Sequence, residues 1–267
     1  MNQLIETVVL GVIQGLTEWL PISSTGHLKI AEKFLGLEAP LLFDVILHLG
    51  TLTVILFFFR SDVKKILSAL AHLDFKTDYG KLIPLIIVGT IPTALIGLAF
   101  SILLESFFQE VLTVAVALLA CGFVLYSAKA SKEKKSGISC FAALLIGIAQ
   151  GIAVIPGLSR SGLTIATALL LGVKRDDAFR FSFLLSIPAV IGAFGLTLYM
   201  HFNELAVSGL GWIDISAGVA AAIVVGYLAL KMLWKVLTKK RFYIFAFYCW
   251  ALGAVLAIAI TLNLGIF

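Results

Sequence analysis

Six apolar runs, each about the length that carries a helix across a bilayer, dominate this chain: residues 41–59, 82–104, 110–128, 180–200, 212–233 and 243–265. A spanning helix needs roughly 20 apolar residues in succession. With 61% hydrophobic and only 13% charged residues, where a soluble domain carries about a quarter charged, the chain reads as an integral membrane protein. The runs lack strand alternation, so helices rather than a barrel must satisfy the backbone. A net charge of +5, held mostly between the runs, then concerns orientation and anionic lipid headgroups, not nucleic acid.

Two further stretches, 4–34 and 138–173, are apolar but broken near the middle by Pro and Gly. Broken arms of this kind read as re-entrant hairpins, tolerated only where protein or water covers their free backbone groups. They also resemble each other. At a constant offset of 136, Gly11 meets Gly147, Gln14 meets Gln150, Gly15 meets Gly151, Ser23 meets Ser159 and Gly26 meets Gly162. Leu35-Gly36 likewise meets Leu171-Gly172, and Phe43 meets Phe179. The expected fold is an all-α polytopic membrane protein with six transmembrane helices and two re-entrant helical hairpins. Its single domain, 1–267, comprises repeat 1 (1–135) and repeat 2 (136–267). Each unit holds three spans, an odd number, so repeat 2 enters from the opposite side. That is an inverted-topology repeat, which places a site near the midplane between broken helices.

Loop charges agree with this count. Arg60, Lys64, Lys65, Lys76 and Lys81 follow the first span, and Lys129, Lys132, Lys134 and Lys135 follow the third. Lys174, Arg175 and Arg180 precede or open the fourth, and Lys235, Lys239, Lys240 and Arg241 follow the fifth. The loops near 105–110 and 201–214 carry no Lys or Arg. The positive-inside rule puts the four basic loops in the cytoplasm and the acidic ones outside, so the two hairpin tips can meet. Lys29 and Lys33 fall on the outer side, where they can draw a phosphorylated headgroup or snorkel to lipid. Cys121, Cys140 and Cys249 show no close pairing and read as buried, inert thiols. The N-terminus lacks the basic flank and small-residue cleavage site of a signal peptide, so it reads as part of the mature fold.

Chemistry concentrates at the hairpin breaks. In the first, Gln14 and Glu18 share a helix face, Pro21 ends the arm, and Ser23-Ser24-Thr25-Gly26 leads to His27. In the second, Pro156-Gly157 ends the arm and Ser159-Arg160-Ser161-Gly162 follows, with Thr164 one turn on. Polar groups in hydrocarbon are costly unless partnered, so such a cluster suggests function. A turn opening onto a helix is an anion site, and Arg160 adds a fork that matches phosphate oxygens. Ser23, Thr25, Gly26, Ser159, Arg160, Ser161 and Thr164 are the expected phosphate-binding groups. Glu18 can hold a divalent cation or act as a base, and Ser24 or His27 can attack. A hydroxyl in a membrane helix can equally bond only its own backbone, as Ser23 and Ser161 can, and Gln14 and Gln150 can serve hairpin packing.

These residues resemble the undecaprenyl-diphosphate phosphatase family of bacteria, also called the bacitracin-resistance proteins. Gln14 and Glu18 match its Glu/Gln-x-x-x-Glu pattern, residues 23–27 its Ser-Ser-Thr-Gly-His turn, and Pro156 through Thr164 its Pro-Gly-x-Ser-Arg-Ser-x-x-Thr signature. The Phe-Asp-Val-x-x-His-x-Gly-Thr stretch at 43–51 is similar as well, so the match runs nearly end to end. The resemblance implies hydrolysis of a C55 polyprenyl diphosphate to the monophosphate and inorganic phosphate, assisted by Mg²⁺ or Ca²⁺, at a site open to the outer face of the cytoplasmic membrane. It implies Glu18, Ser24, His27 and Arg160 as the catalytic group. Many members carry Glu where this chain has Gln14, which cannot be a base; Asp44 or His48 could stand in. The expected partners are the lipid substrate and membrane lipid, with a homodimer left open. The rival reading is a polyprenyl-phosphate flippase, since inverted repeats with broken helices also describe secondary transporters.

Overall fold

A computed structural model describes residues 3–35, 41–103, 110–207 and 210–262 of the chain. These form eleven α-helices: α1 (Gln3–Trp19), α2 (Ser24–Leu35), α3 (Leu41–Phe58), α4 (Arg60–Ala71), α5 (Leu82–Leu103), α6 (Val111–Ser127), α7 (Cys140–Ile152), α8 (Arg160–Leu170), α9 (Arg175–Val207), α10 (Trp212–Thr238) and α11 (Ile244–Thr261). Six of them, α3, α5, α6, α9, α10 and α11, are long and apolar enough to cross a membrane, and they correspond to the six apolar runs. The two broken stretches become the short pairs α1/α2 and α7/α8. Gly36, most of the acidic loop at 105–110, residues 208–209 and the end of the sixth run lie outside the described residues.

The structure departs from expectation in three places. The fourth span begins at Arg175, because Asp176 and Asp177 occupy its first turn and favour a helix N-terminus there. The basic loop after the first span contains α4, whose charges hide a helix that still exposes Leu67 and Leu70 along one side. Cys121 and Cys249 are buried free thiols as expected, whereas Cys140 is exposed, since it opens α7 directly after the cap residue Ser139.

Close packing rests on glycine where backbones approach. α1 lies along α10, and a Cβ on Gly11 would stand 2.1 Å from the Gly218 carbonyl oxygen. α7 lies along α5 in the same manner, and a Cβ on Gly147 would stand 2.1 Å from the Gly89 oxygen. Small residues let membrane helices come this near. α3 faces α9, and α6 faces α11. Exchanging α1, α3, α5 and α6 for α7, α9, α10 and α11 leaves this set of contacts unchanged. Aromatic side chains fill the middle, with Trp19 fully buried and its ring 5.5 Å from that of Phe183.

All four basic loops are tied together at one end. Asp62 pairs with Arg180, which also donates to the Tyr79 hydroxyl at 2.9 Å. Glu133 pairs with Arg175, and the Lys174 amide donates to the Lys135 carbonyl at 3.1 Å. Lys129 sits 5.0 Å above the Tyr243 ring, bringing in the fourth loop. The Lys65 ammonium that donates to its hydroxyl, with Arg180 alongside, holds the Tyr79 phenol below its ordinary pKa.

Candidate active site

The two helix pairs meet at their connecting turns. Pro21 cannot continue α1, and the chain reverses through Ser23, whose φ of 72° is left-handed. A serine there is uncommon and needs support. The Ser23 carbonyl accepts from the His27 amide at 3.2 Å and from His27 Nδ1 at 2.7 Å, while Ser23 Oγ accepts from the Gly26 amide at 3.2 Å. At the other turn, Ser159 caps α8 by accepting from the Gly162 amide at 3.1 Å. Equivalent serines therefore start equivalent helices.

Three bonds join one turn to the other. The Gly157 amide donates to Ser23 Oγ at 3.0 Å, Ser161 Oγ donates to the Trp19 carbonyl at 3.1 Å, and Arg160 pairs with Glu18. Gly157 has φ of 99°, and a Cβ there would lie 2.5 Å from the Val114 oxygen, so the turn fits only with glycine. Cys249 on α11 adds a sulfur hydrogen bond at 3.6 Å to the Pro21 carbonyl.

Glu18 is the centre of the arrangement, 6% exposed and surrounded on every side. Its Oε2 accepts from Ser24 Oγ at 2.6 Å and Gln14 Nε2 at 3.0 Å, and lies 3.2 Å from His48 Nε2; its Oε1 meets Arg160. Arg160 also stacks over Trp19, 5.7 Å from its ring centre. His48 Nδ1 lies 2.8 Å from the Asp44 carbonyl. His48 is thus held between two acceptors, the Asp44 carbonyl at Nδ1 and the Glu18 carboxylate at Nε2. The guanidinium of Arg160 beside these donors suits an anion.

Other expected residues lie apart from Glu18. His27 turns to Ser23 and to Tyr248 of α11, with Nε2 2.7 Å from the phenol oxygen. Gln150 donates at 3.3 Å to both Thr93 Oγ1 and the Leu185 carbonyl, fastening α7 to its neighbours. Thr164 bonds the Arg160 carbonyl at 2.8 Å and the Ser182 hydroxyl. Asp44 turns its carboxyl toward Glu32 of α2. Thr25 is half-buried and makes none of the described side-chain hydrogen bonds. Tyr248 and Trp19 are not among the expected site residues: Tyr248 sits inside an apolar helix with no motif around it, and Trp19, though next to Glu18, reads as an apolar packing residue.

The donors do not fit a resident divalent ion. Among the described residues no three His, Cys, Asp or Glu side chains converge on one point, and both oxygens of Glu18 already hold hydrogen-bond or ionic partners. A hard cation wants several oxygens.

Comparison with known proteins gives the family. Residues 7–255 match the family described as bacitracin resistance protein BacA. An undecaprenyl-diphosphatase of Carboxydothermus hydrogenoformans is 40% identical over 258 residues, covering 95% of this chain and 96% of the relative. That of Halothermothrix orenii is 42% identical over 260 residues, with 96% and 98% covered, and that of Methanobrevibacter smithii is 39% identical over 273, with 94% and 96% covered. A match that takes in both turns and runs from α1 into α11 means that this chain belongs to the BacA family of bacitracin resistance proteins.

Proposed function

We propose that this multi-pass membrane protein hydrolyses a polyprenyl diphosphate, undecaprenyl diphosphate above all, to the monophosphate and inorganic phosphate. Relatives that match nearly end to end are named undecaprenyl-diphosphatases, and the observation that carries the chemistry is Ser24 Oγ, 2.6 Å from a buried carboxylate. Ser24 is the nucleophile and Glu18 its base. As Oγ attacks the terminal phosphorus, its proton passes to Glu18 and the bond to the bridging oxygen breaks, releasing the polyprenyl monophosphate. Water then attacks the phosphoserine, Glu18 returns its proton to the departing Ser24 oxygen, and dihydrogen phosphate leaves, restoring both Ser24 and the Glu18 carboxylate.

Arg160 links binding to this step. Its guanidinium pairs with Glu18 while the site holds no anion. A diphosphate competes for the same fork, and drawing Arg160 onto phosphate frees Glu18 to accept a proton. A Mg²⁺ or Ca²⁺ ion would be carried in by the diphosphate oxygens, since the protein donors do not form a cage for it. The contacts that survive exchange of the two halves support an inverted repeat with the two short pairs as re-entrant hairpins. The positive-inside rule then assigns the tied basic loops to the cytoplasm and the site to the outer side of the cytoplasmic membrane. In that place the reaction recycles the carrier lipid of cell-wall synthesis and gives resistance to bacitracin.

The test is phosphate release from a C15 or C55 polyprenyl diphosphate by purified protein in detergent. Release that disappears in Ser24→Ala, with lipid binding kept, supports the reading. A folded wild type that binds the lipid without releasing phosphate sinks it and favours a carrier.

A further inference from the structure

His27 has both ring nitrogens engaged, and neither engagement is with the Glu18 cluster. Nδ1 lies 2.7 Å from the Ser23 carbonyl, an acceptor only, so Nδ1 carries the proton. Nε2 is then free to accept, and among the described residues the group bonded to it is the Tyr248 hydroxyl at 2.7 Å. The two rings also stack, with centres 5.7 Å apart and planes 15° from parallel. Cys249, the next residue of α11, is fixed to the Pro21 carbonyl of the same turn, so the phenol is held in place from two sides.

We propose that Tyr248 is a positioning residue for the nucleophile turn, acting through His27. Its O–H, donated to Nε2, fixes the imidazole as the Nδ1–H tautomer. The Nδ1–H in turn fixes the Ser23 carbonyl and with it the left-handed Ser23 backbone. Ser24 is the next residue, and its Oγ reaches Glu18 at 2.6 Å only while that backbone holds. The chain of support runs from α11 through Tyr248, His27 and Ser23 to Ser24. On this reading His27 does not touch the reacting phosphate, and its side chain serves the geometry of the turn.

The kinetic part rests on the phosphatase reading; the spectroscopic part does not. Tyr248→Phe keeps the ring against His27 and removes the hydroxyl, while Tyr243→Phe, at the N-cap of the same helix, is the control. The expected result is a fall in kcat of about tenfold with KM within about twofold for Tyr248→Phe, and no change for Tyr243→Phe. Histidine ring ¹⁵N spectra, with the His27 signals assigned through His27→Gln among the four histidines, give the second reading. Wild type should show a protonated Nδ1 and a hydrogen-bonded, unprotonated Nε2, and Tyr248→Phe should move Nε2 toward the position of a free acceptor. A raised KM with unchanged kcat would make Tyr248 a substrate contact and overturn the proposal. So would an equal loss in Tyr243→Phe, or a wild-type His27 protonated at Nε2 and not at Nδ1. Should wild type release no phosphate at all, the functional reading fails, and the ¹⁵N result still decides whether Tyr248 holds His27.

Discussion

Ser24 Oγ donates to Glu18 Oε2 across 2.6 Å, from the first turn of one helix to the last turn of the one before. Short charge-assisted bonds of this kind are strong, and here the bond aligns a nucleophile with its base. Replacing Ser24 by Ala should lower kcat at least about 10³-fold. Replacing Glu18 by Gln keeps the shape but removes the base and should cost about 10²–10⁴-fold. Rapid-quench detection of a ³²P-labelled enzyme intermediate checks the order of events: the label should appear on wild type and be absent from Ser24→Ala.

The Glu18–Arg160 pair joins residues 142 positions apart, with the carboxylate almost wholly buried. Removing only the cation strands a buried charge, which typically costs about 3–5 kcal/mol. Arg160→Met should therefore melt well below wild type. In the double variant Glu18→Gln/Arg160→Met most of that loss should return while activity stays absent. Thermal unfolding in detergent separates the two effects, and a double variant as unstable as the single would remove the pair from the account.

Gly11 and Gly97 make a matched test of helix packing. A methyl on Gly11 meets the Gly218 oxygen at 2.1 Å, whereas one on Gly97 meets nothing within 4 Å. Gly11→Ala should destabilise by about 1–3 kcal/mol through overpacking. Gly97→Ala should be neutral or stabilising by up to about 1 kcal/mol, since alanine is the better helix residue. Melting temperatures of the two variants decide it.

Gln14 donates an amide hydrogen to Glu18 where many relatives, by the resemblance, offer a second carboxylate. Isothermal titration of wild type with Mg²⁺ or Mn²⁺ in the absence of lipid should give no saturable heat, and a stable metal content after dialysis should be absent. Gln14→Glu places two carboxylates on one helix face and should acquire such binding. Tight metal binding by the lipid-free wild type would contradict the donor analysis.

Asp62 and Arg180 fasten α4 to α9 at the basic end. Asp62→Asn should loosen that end without touching the site. Proteolysis within 72–80 should accelerate, while kcat changes by less than about twofold, because the substitution lies outside the Glu18 cluster.

The parts of this molecule that could be read in the sequence are those set by neighbours in the chain. Six spans follow from local hydropathy, and Gln14 and Glu18 face together because helices place i and i+4 on one side. That the two hairpin tips can meet was legible too, but the offset superposes Arg160 on Ser24 and gave no sign of its direct pairing with Glu18. That offset carries over the packing role but not the carboxylate partner at Gln150. It matches Gln14 in sequence, but position 154 is Val where position 18 is Glu, so Gln150 finds Thr93 and Leu185 instead. Tyr248 could not be found in this way. Its partner is 221 residues distant, and only the seating of α11 against the Pro21 turn brings them together. The helix α4 was hidden for the opposite reason, because its basic residues read as a solvated loop.

The separation of Glu18 and Arg160 also bears on biosynthesis. The carboxylate is made 142 residues before its cation, roughly 7–30 s earlier at usual elongation rates. Throughout that interval it must enter the bilayer without its principal counter-charge. Gln14, Ser24 and His48, all within 30 residues of it in sequence, are in a position to shelter it until the second turn arrives. The same three side chains that tune the base in the finished enzyme thus act as its escorts on the ribosome.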